Sequence, residues 1–223
     1  MIGTPLSTAT WFSVGPVPIT GPVVVTWAIM AGLTLASAIL THALRLEPTR
    51  RQSVLELIVD TLLGQIHETM HLEPRPFLPL IGTLFVFILM ANWSSLIPGI
   101  EPPTAHIETD AALALVVFVA VIYHGIRARG VVGYLRTFAQ PSVFMVPLNL
   151  VETFTRTFSL IVRLFGNVMS GVFIIGIVLS LAGLIVPIPL MALELLTGAI
   201  QAYIFTVLSM VFIGSAASPG RTG

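Results

Sequence analysis

The sequence has no cysteine and no lysine. Without cysteine there is no disulfide framework and no thiolate metal site. All ten basic residues are arginine, a side chain that stays charged in proteins. Charge as a whole is scarce, at 9% of residues, where soluble domains carry roughly 25%. Such a chain cannot cover a globular surface with charge. Formal net charge is zero, which gives no basis for a nucleic-acid partner. There is no P-loop, no GxGxxG and no nucleophile elbow, so neither nucleotide hydrolysis nor a cofactor is expected. The five histidines are scattered, with only His67 and His71 at a spacing that could share a metal, and no metal site is expected. No internal repeat is visible, which removes the usual sign of an inverted-repeat transporter. The N-terminus lacks a basic region, and Pro5, Pro16, Pro18 and Pro22 interrupt it, so it does not read as a signal peptide.

What the sequence has is apolar length. Hydrophobic residues make up 56% of the chain and the mean hydropathy is +0.99. Lipid must be the main solvent. The apolar runs are long and unbroken, whereas a membrane barrel uses short alternating segments. The expected fold class is therefore all-α integral membrane: three or so transmembrane helices, one interfacial amphipathic helix, and a C-terminal pair of long, strongly tilted helices carrying polar seams. One membrane domain is expected over residues 1–223. Residues 1–22 form an outer N-terminal segment, 23–142 the peripheral helices, 143–214 the helix hairpin and 215–223 a tail.

The first span is expected over 23–44, long enough for a hydrocarbon core of about 30 Å. Residues 53–70 place Leu55, Ile58, Val59, Leu62, Leu63 and Ile66 at helical spacing, with Glu56, Asp60 and His67 on another face. That is an amphipathic helix, lying at the membrane interface or packed on the other helices. Residues 75–99 form the second span and 112–126 the third, starting nearer Thr109. Between them lies a polar loop, 101–110, with Glu101, Glu108 and Asp110. This group could attract cations, and a solvated loop is the simpler expectation. Residues 125–141 read as a basic loop. Arginines cluster between the first two spans and after the third, so the positive-inside rule puts the N-terminus outside and the C-terminus in the cytoplasm.

The last third is nearly continuous apolar sequence from Val143 to Ile185, broken at 183–189, and resumed from Leu190 to Gly214. One tilted helix followed by a second is expected. At about 100° per residue, Glu152, Arg156, Ser159, Arg163, Asn167 and Ser170 fall within an arc of about 80°. Glu194 and Gln201, seven residues apart, form a narrow seam on the second helix. Charge inside a bilayer faces protein or water, so the first seam faces something other than lipid. Glu152 and Arg156 at i,i+4 can be a structural ion pair. Asn167 and Gln201 can simply hydrogen-bond a neighbouring helix. Arg163 is different. Its nearest acids are Glu152, three turns away, and Glu194 on another helix. A partner from another chain, or one that comes and goes, would resolve its charge.

RLFGN at 163–167, with LELLTGAIQAYIFTVLSMVFIG at 193–214, resembles subunit a of F-type ATP synthases. The resemblance extends over roughly residues 45–214, through FLPLIGTLFVFILMANWSSLIPG, PPTAHIETDAALAL, the GYL pattern ending at Leu135, and PLNLVETFTRTFSLIVRLFGN. It implies a non-catalytic stator subunit in a bacterial inner membrane, set against a ring of c subunits, with b-type peripheral stalk subunits and the rest of the synthase as partners. It implies two half-channels for protons, or sodium ions, ending near the ring. Arg163 falls at the position of the arginine that meets the ring carboxylate. Asn167, Glu194 and Gln201 match polar positions of that interface, with Glu194 on the outer side. Glu152 and Arg156 match positions lining the cytoplasmic side, with Ser159 and Ser170 on the same seam. The chain departs from the family pattern at Val172, where many members carry an acid or His, at Thr157, and at Trp93, Ser94 and Ser95. Two other readings stay open on the residues alone: a stand-alone secondary transporter using Arg163 to bind an anion, and a scaffold in which Arg163 pairs internally.

Overall fold

The computed structural model describes residues 10–14, 17–41, 50–97, 100–138, 144–183 and 185–218. Helix dominates. The one sheet among the described residues is a short antiparallel pair of β1 (Thr10–Val14) and β2 (Val17–Thr20). Pro18 sits in β2, opposite Ser13. A missing N–H is tolerable there because each strand of a two-stranded ribbon is an edge. The expected N-terminal segment thus has structure that its prolines concealed.

Six helices follow. They are α1 (Gly21–Thr41), α2 (Arg50–Met70), α3 (Leu78–Trp93), α4 (Ile107–Phe138), α5 (Met145–Ala182) and α6 (Pro187–Ala217). All but α2 are long and apolar enough to cross a membrane. The expected spans are present, with the end of the first, 42–44, lying outside the described residues. The break between α5 and α6 is shorter than the sequence implied, because Pro187 and Pro189 open α6 instead of preceding it. Proline is tolerated in a first turn, where its missing N–H has no helical partner. Gly183, with φ 71°, ends α5.

The region expected to be a basic loop, 125–141, is largely helical. Gly130 has φ 73° and ψ 166°, which breaks α4 into two pieces. The second piece folds back on the first. The Tyr134 ring lies against Gly125, where a Cβ would come within 2.5 Å of it. In a straight helix those residues would sit about 13 Å apart. Arg129 closes the reversal, donating to the Thr137 hydroxyl at 3.0 Å and to the Ser218 carbonyl at the end of α6. This basic end of the bundle gathers Arg127, Arg129 and the C-terminus of α6. The opposite, acidic end carries Glu101, Glu108 and the α5–α6 turn.

The core runs between α3, α4, α5 and α6. It includes Leu84, Ile88 and Ala91 from α3, Ala114 and Val117 from α4, Leu160, Leu164 and Val168 from α5, and Ala202 and Phe205 from α6. α2 joins only by its second half. Ile66 and Met70 are buried with Met210 and Ile213, and Met70 packs on Gly214. Its first half exposes Leu57, Ile58 and Val59. The reading of this helix as packed on the others therefore holds for its second half. α1 lies outermost, with Pro22 its one buried residue and Trp27, Met30, Leu35 and Ile39 exposed.

At the acidic end a polar rivet joins α3 to α6. The Asn92 amide donates to the Gly198 carbonyl at 2.8 Å and accepts from the Thr104 hydroxyl at 2.8 Å. The contact is close because residue 198 has no side chain; a Cβ there would lie 3.0 Å from the Cβ of Asn92. Trp93 adds a bond from its indole N–H to the Leu195 carbonyl at 3.2 Å. Interhelical hydrogen bonds of this kind contribute about 1 kcal/mol each in a membrane. Asn92→Ala is expected to cost about 1–3 kcal/mol, because it also leaves the buried Thr104 hydroxyl unpaired. The midpoint of SDS-induced unfolding in mixed micelles measures this, and an unchanged midpoint would show that apolar packing alone holds the two helices.

Candidate functional site: a charged seam along α5

α5 turns Leu160, Leu164 and Val168 into the core. Next to that buried face runs the polar seam. Glu152, Arg156, Ser159, Arg163 and Ser170 are exposed and Asn167 is half-buried. The predicted arc is therefore a continuous outward strip. On its far side lie exposed apolar residues, among them Phe154, Phe158 and Val162.

Four seam residues share one groove. Glu152, Arg156, Ser159 and Arg163 line a depression of about 620 Å³ with Leu208 and Phe212 of α6. Glu152 and Arg156 form the i,i+4 ion pair that their spacing suggested. The Arg156 guanidinium also lies over the Phe212 ring, 5.4 Å from its centroid, a favourable cation–π contact. Arg156 is thus held from two sides. Arg163, two turns along, makes no ion pair with any described residue. Among the charges of α5 and α6 it is the cation without an anion.

A second cavity opens at the basic end. It has a volume of about 400 Å³ and is lined by Tyr134, Asn149, Glu152, Thr153, Arg156 and Phe212, among others. Glu152 and Arg156 belong to both spaces, so the cavity and the Arg163 groove adjoin. The folded-back end of α4 supplies one wall through Tyr134, Thr137 and Phe138.

The remaining predicted residues lie toward the acidic end. The Ser170 hydroxyl is spent on its own helix, donating to the Asn167 carbonyl at 2.8 Å. Glu194 is half-buried and its carboxylate rests on Gly171 of α5. A Cβ at 171 would lie 2.6 Å from Oε1, and that oxygen is buried without a hydrogen-bond partner. Gln201 is buried, and its Nε2 also lacks a partner. The α6 seam is therefore enclosed where the α5 seam is open.

The structure adds residues that the seam analysis did not select. Asn92 and Thr104 organise the acidic end, and Gly171 and Gly198 are the notches that admit Glu194 and Asn92. Asp110 is corrected outright. It is not part of a solvated loop but is fully buried, while Glu101 and Glu108 stay exposed. The loop folds inward because Pro102, Pro103 and Thr104 are themselves buried. A visible signal for Asn92 was its place as an amide inside the apolar run FVFILMANW.

Five apolar helices of membrane-crossing length and a charged strip on the outer surface define a polytopic helical membrane protein. Within that class, the chain belongs to the ATP synthase A chain family, whose match covers residues 23–214. It is 57% identical over 216 residues to "ATP synthase subunit a 2" of a Bradyrhizobium species, spanning 97% of both chains. It is 45% identical over 201 residues to "ATP synthase subunit a" of Albidiferax ferrireducens, covering 89% of this chain and 87% of that one. The corresponding protein of Acaryochloris marina, "ATP synthase subunit a 2", is 48% identical over 193 residues, covering 86% and 82%. Family membership makes this a membrane-sector subunit and not the nucleotide-hydrolysing one.

Because Gly171 fixes where the Glu194 carboxylate rests, Gly171→Ala is expected to displace that carboxylate while the helices stay assembled. Since the resemblance implies that Glu194 serves the outer side of the ion path, ATP-driven ion uptake should fall about tenfold or more. Wild-type uptake at wild-type assembly would show that Glu194 does not depend on this notch.

Proposed function

We infer that the chain is the stator ion-path subunit of a bacterial rotary F-type ATP synthase, with Arg163 as the electrostatic gate between two half-channels. The observation that carries this reading is the exposed, unpaired guanidinium of Arg163 on the open strip of α5. A permanent cation near the middle of a bilayer costs about 3 kcal/mol or more. A carboxylate presented from outside the chain offsets that cost, and a ring of c subunits presents one at each step of rotation. Opposite charge favours the ionised acid, so each ring carboxylate releases its ion as it meets Arg163. The same charge repels cations that would leak directly from one half-channel to the other.

The cavity of about 400 Å³ at the basic end supports a cytoplasmic half-channel in which Glu152 and Arg156 face water. Glu194 and Gln201, with their unpartnered buried atoms, support an outer half-channel at the acidic end. Asn167, Ser159 and Ser170 line the strip between the two. The ring, the b-type stalk and the rest of the synthase are the partners, and the ion carried is the proton or the sodium ion. The arginine distribution supports a multi-pass subunit of the bacterial plasma membrane with its N-terminus outside and its C-terminus in the cytoplasm.

The test is ATP-driven ion uptake by inverted vesicles carrying Arg163→Ala, with and without sodium, and with passive leak measured in the same vesicles. The expected result is complete loss of uptake by the variant, with or without sodium, while the complex still assembles; the sodium dependence of wild-type uptake names the ion. Coupled uptake by the variant would make Arg163 structural and end the gate reading. Transport by the isolated chain would favour a stand-alone transporter instead.

A further inference from the structure

Among the described residues, four buried side-chain atoms lack a hydrogen-bond partner: Oδ1 and Oδ2 of Asp110, Oε1 of Glu194 and Nε2 of Gln201. Glu194 and Gln201 belong to the α6 seam. Asp110 lies on a different helix, in a segment with no part in the ion path described so far. Its side chain is 0% exposed.

Its position on α4 is informative. Asp110, Ala114 and Val117 form one buried stripe at i, i+4 and i+7. Ala114 belongs to the same core as Val168 of α5 and Ala202 of α6. One turn toward the acidic end, these three strands of packing become Asp110, Gly171 and Gly198. Glu194 rests on Gly171, and Asn92, with its Thr104 hydroxyl bond, rests on Gly198. Asp110 therefore stands at the level where the polar groups of α3, the 101–106 segment and α6 converge. On the outer side of that level, Glu101 and His106 pair at 3.3 Å and line a small cavity of about 50 Å³ that reaches Val172 of α5.

A buried carboxyl group with no partner is costly in either protonation state. A residue needed only for packing would be the alanine or valine found one and two turns further along α4. We propose that Asp110 is an ion-relay residue of the acidic-end path, taking the coupling ion from the side of the Glu101–His106 loop and passing it toward Glu194. For a proton, one carboxylate oxygen binds it, giving the neutral acid, and its release restores the carboxylate. This rests on the reading of Glu194 as part of the outer half-channel.

The assembled synthase in inverted vesicles tests it, with Asp110→Asn, Asp110→Glu and Arg163→Ala side by side. Asp110→Asn should lower both ATP-driven uptake and ion-driven ATP synthesis about tenfold or more, at unchanged assembly, and Asp110→Glu should retain most of both. Because the chain has no cysteine, Asp110→Cys introduces its one thiol. Treating cells with Ag⁺ before vesicles are made should inhibit uptake by Asp110→Cys, and not by Leu115→Cys, whose native residue is 58% exposed on the outer face of the same helix. Wild-type cells supply the background from other subunits. Full activity of Asp110→Asn beside an inactive Arg163→Ala would overturn the relay and leave the rotary reading intact. Loss of assembly in Asp110→Asn, which keeps the shape of Asp, would assign the carboxylate to folding and also overturn it. Normal uptake by Arg163→Ala would remove both readings together.

Discussion

A charge that cannot be neutralised, held on an apolar helix, is the constraint from which the rest of this molecule follows. Arg163 has lipid-like neighbours on one side and a shallow groove on the other. No described residue of its own chain supplies an anion. Arg156, on the same strip, has been given two partners, a carboxylate and an aromatic face. The difference between these two arginines separates a structural charge from one kept available. A side chain already committed to Glu152 and Phe212 has little attraction left for a passing acid.

Keeping Arg163 available requires a rigid support behind it, and α6 provides that support. Asn92 and Trp93 fasten its first half to α3, Glu194 and Gly171 mate it to α5, and Met70 packs on Gly214. Arg129 then ties its last turn to the reversed end of α4. Each close approach uses a glycine or a specific polar bond, not bulk apolar contact. In lipid, apolar side chains gain little from meeting each other, so close packing and interhelical hydrogen bonds must specify the arrangement. The outermost helix, α1, has few such devices and is correspondingly exposed.

Helix existence and the α5 strip were legible from the sequence, because apolar length and 100° periodicity depend only on neighbouring residues. Glu152, Arg156, Ser159 and Arg163 were found together for that reason. Three features were not legible. The β1–β2 pair hid behind prolines that an edge strand tolerates. The reversal at Gly130 looked like a loop because arginines and glycines dominate it, yet Tyr134 and Gly125 close it into packed helix. The burial of Asp110 comes with that of Pro102, Pro103 and Thr104, and Thr104 is held by Asn92, which is nearer to it in the fold than in the sequence. Local pattern reading assigns a carboxylate near a polar loop to water, and only tertiary contact says otherwise.

α5 runs for 38 residues, about 57 Å at 1.5 Å per residue. A slab of hydrocarbon about 30 Å thick accommodates such a rod only if it reclines or protrudes. On a helix that reclines to fit, a site advances further sideways than it descends. On the proposed function, the two ends of the seam then open to opposite sides of the membrane at different places in its plane. Nothing carried along one fixed vertical line can visit both. A carrier must travel laterally between them, and on a closed ring of carriers lateral travel is rotation. In that proposal the length of a single helix sets the direction in which the motor moves.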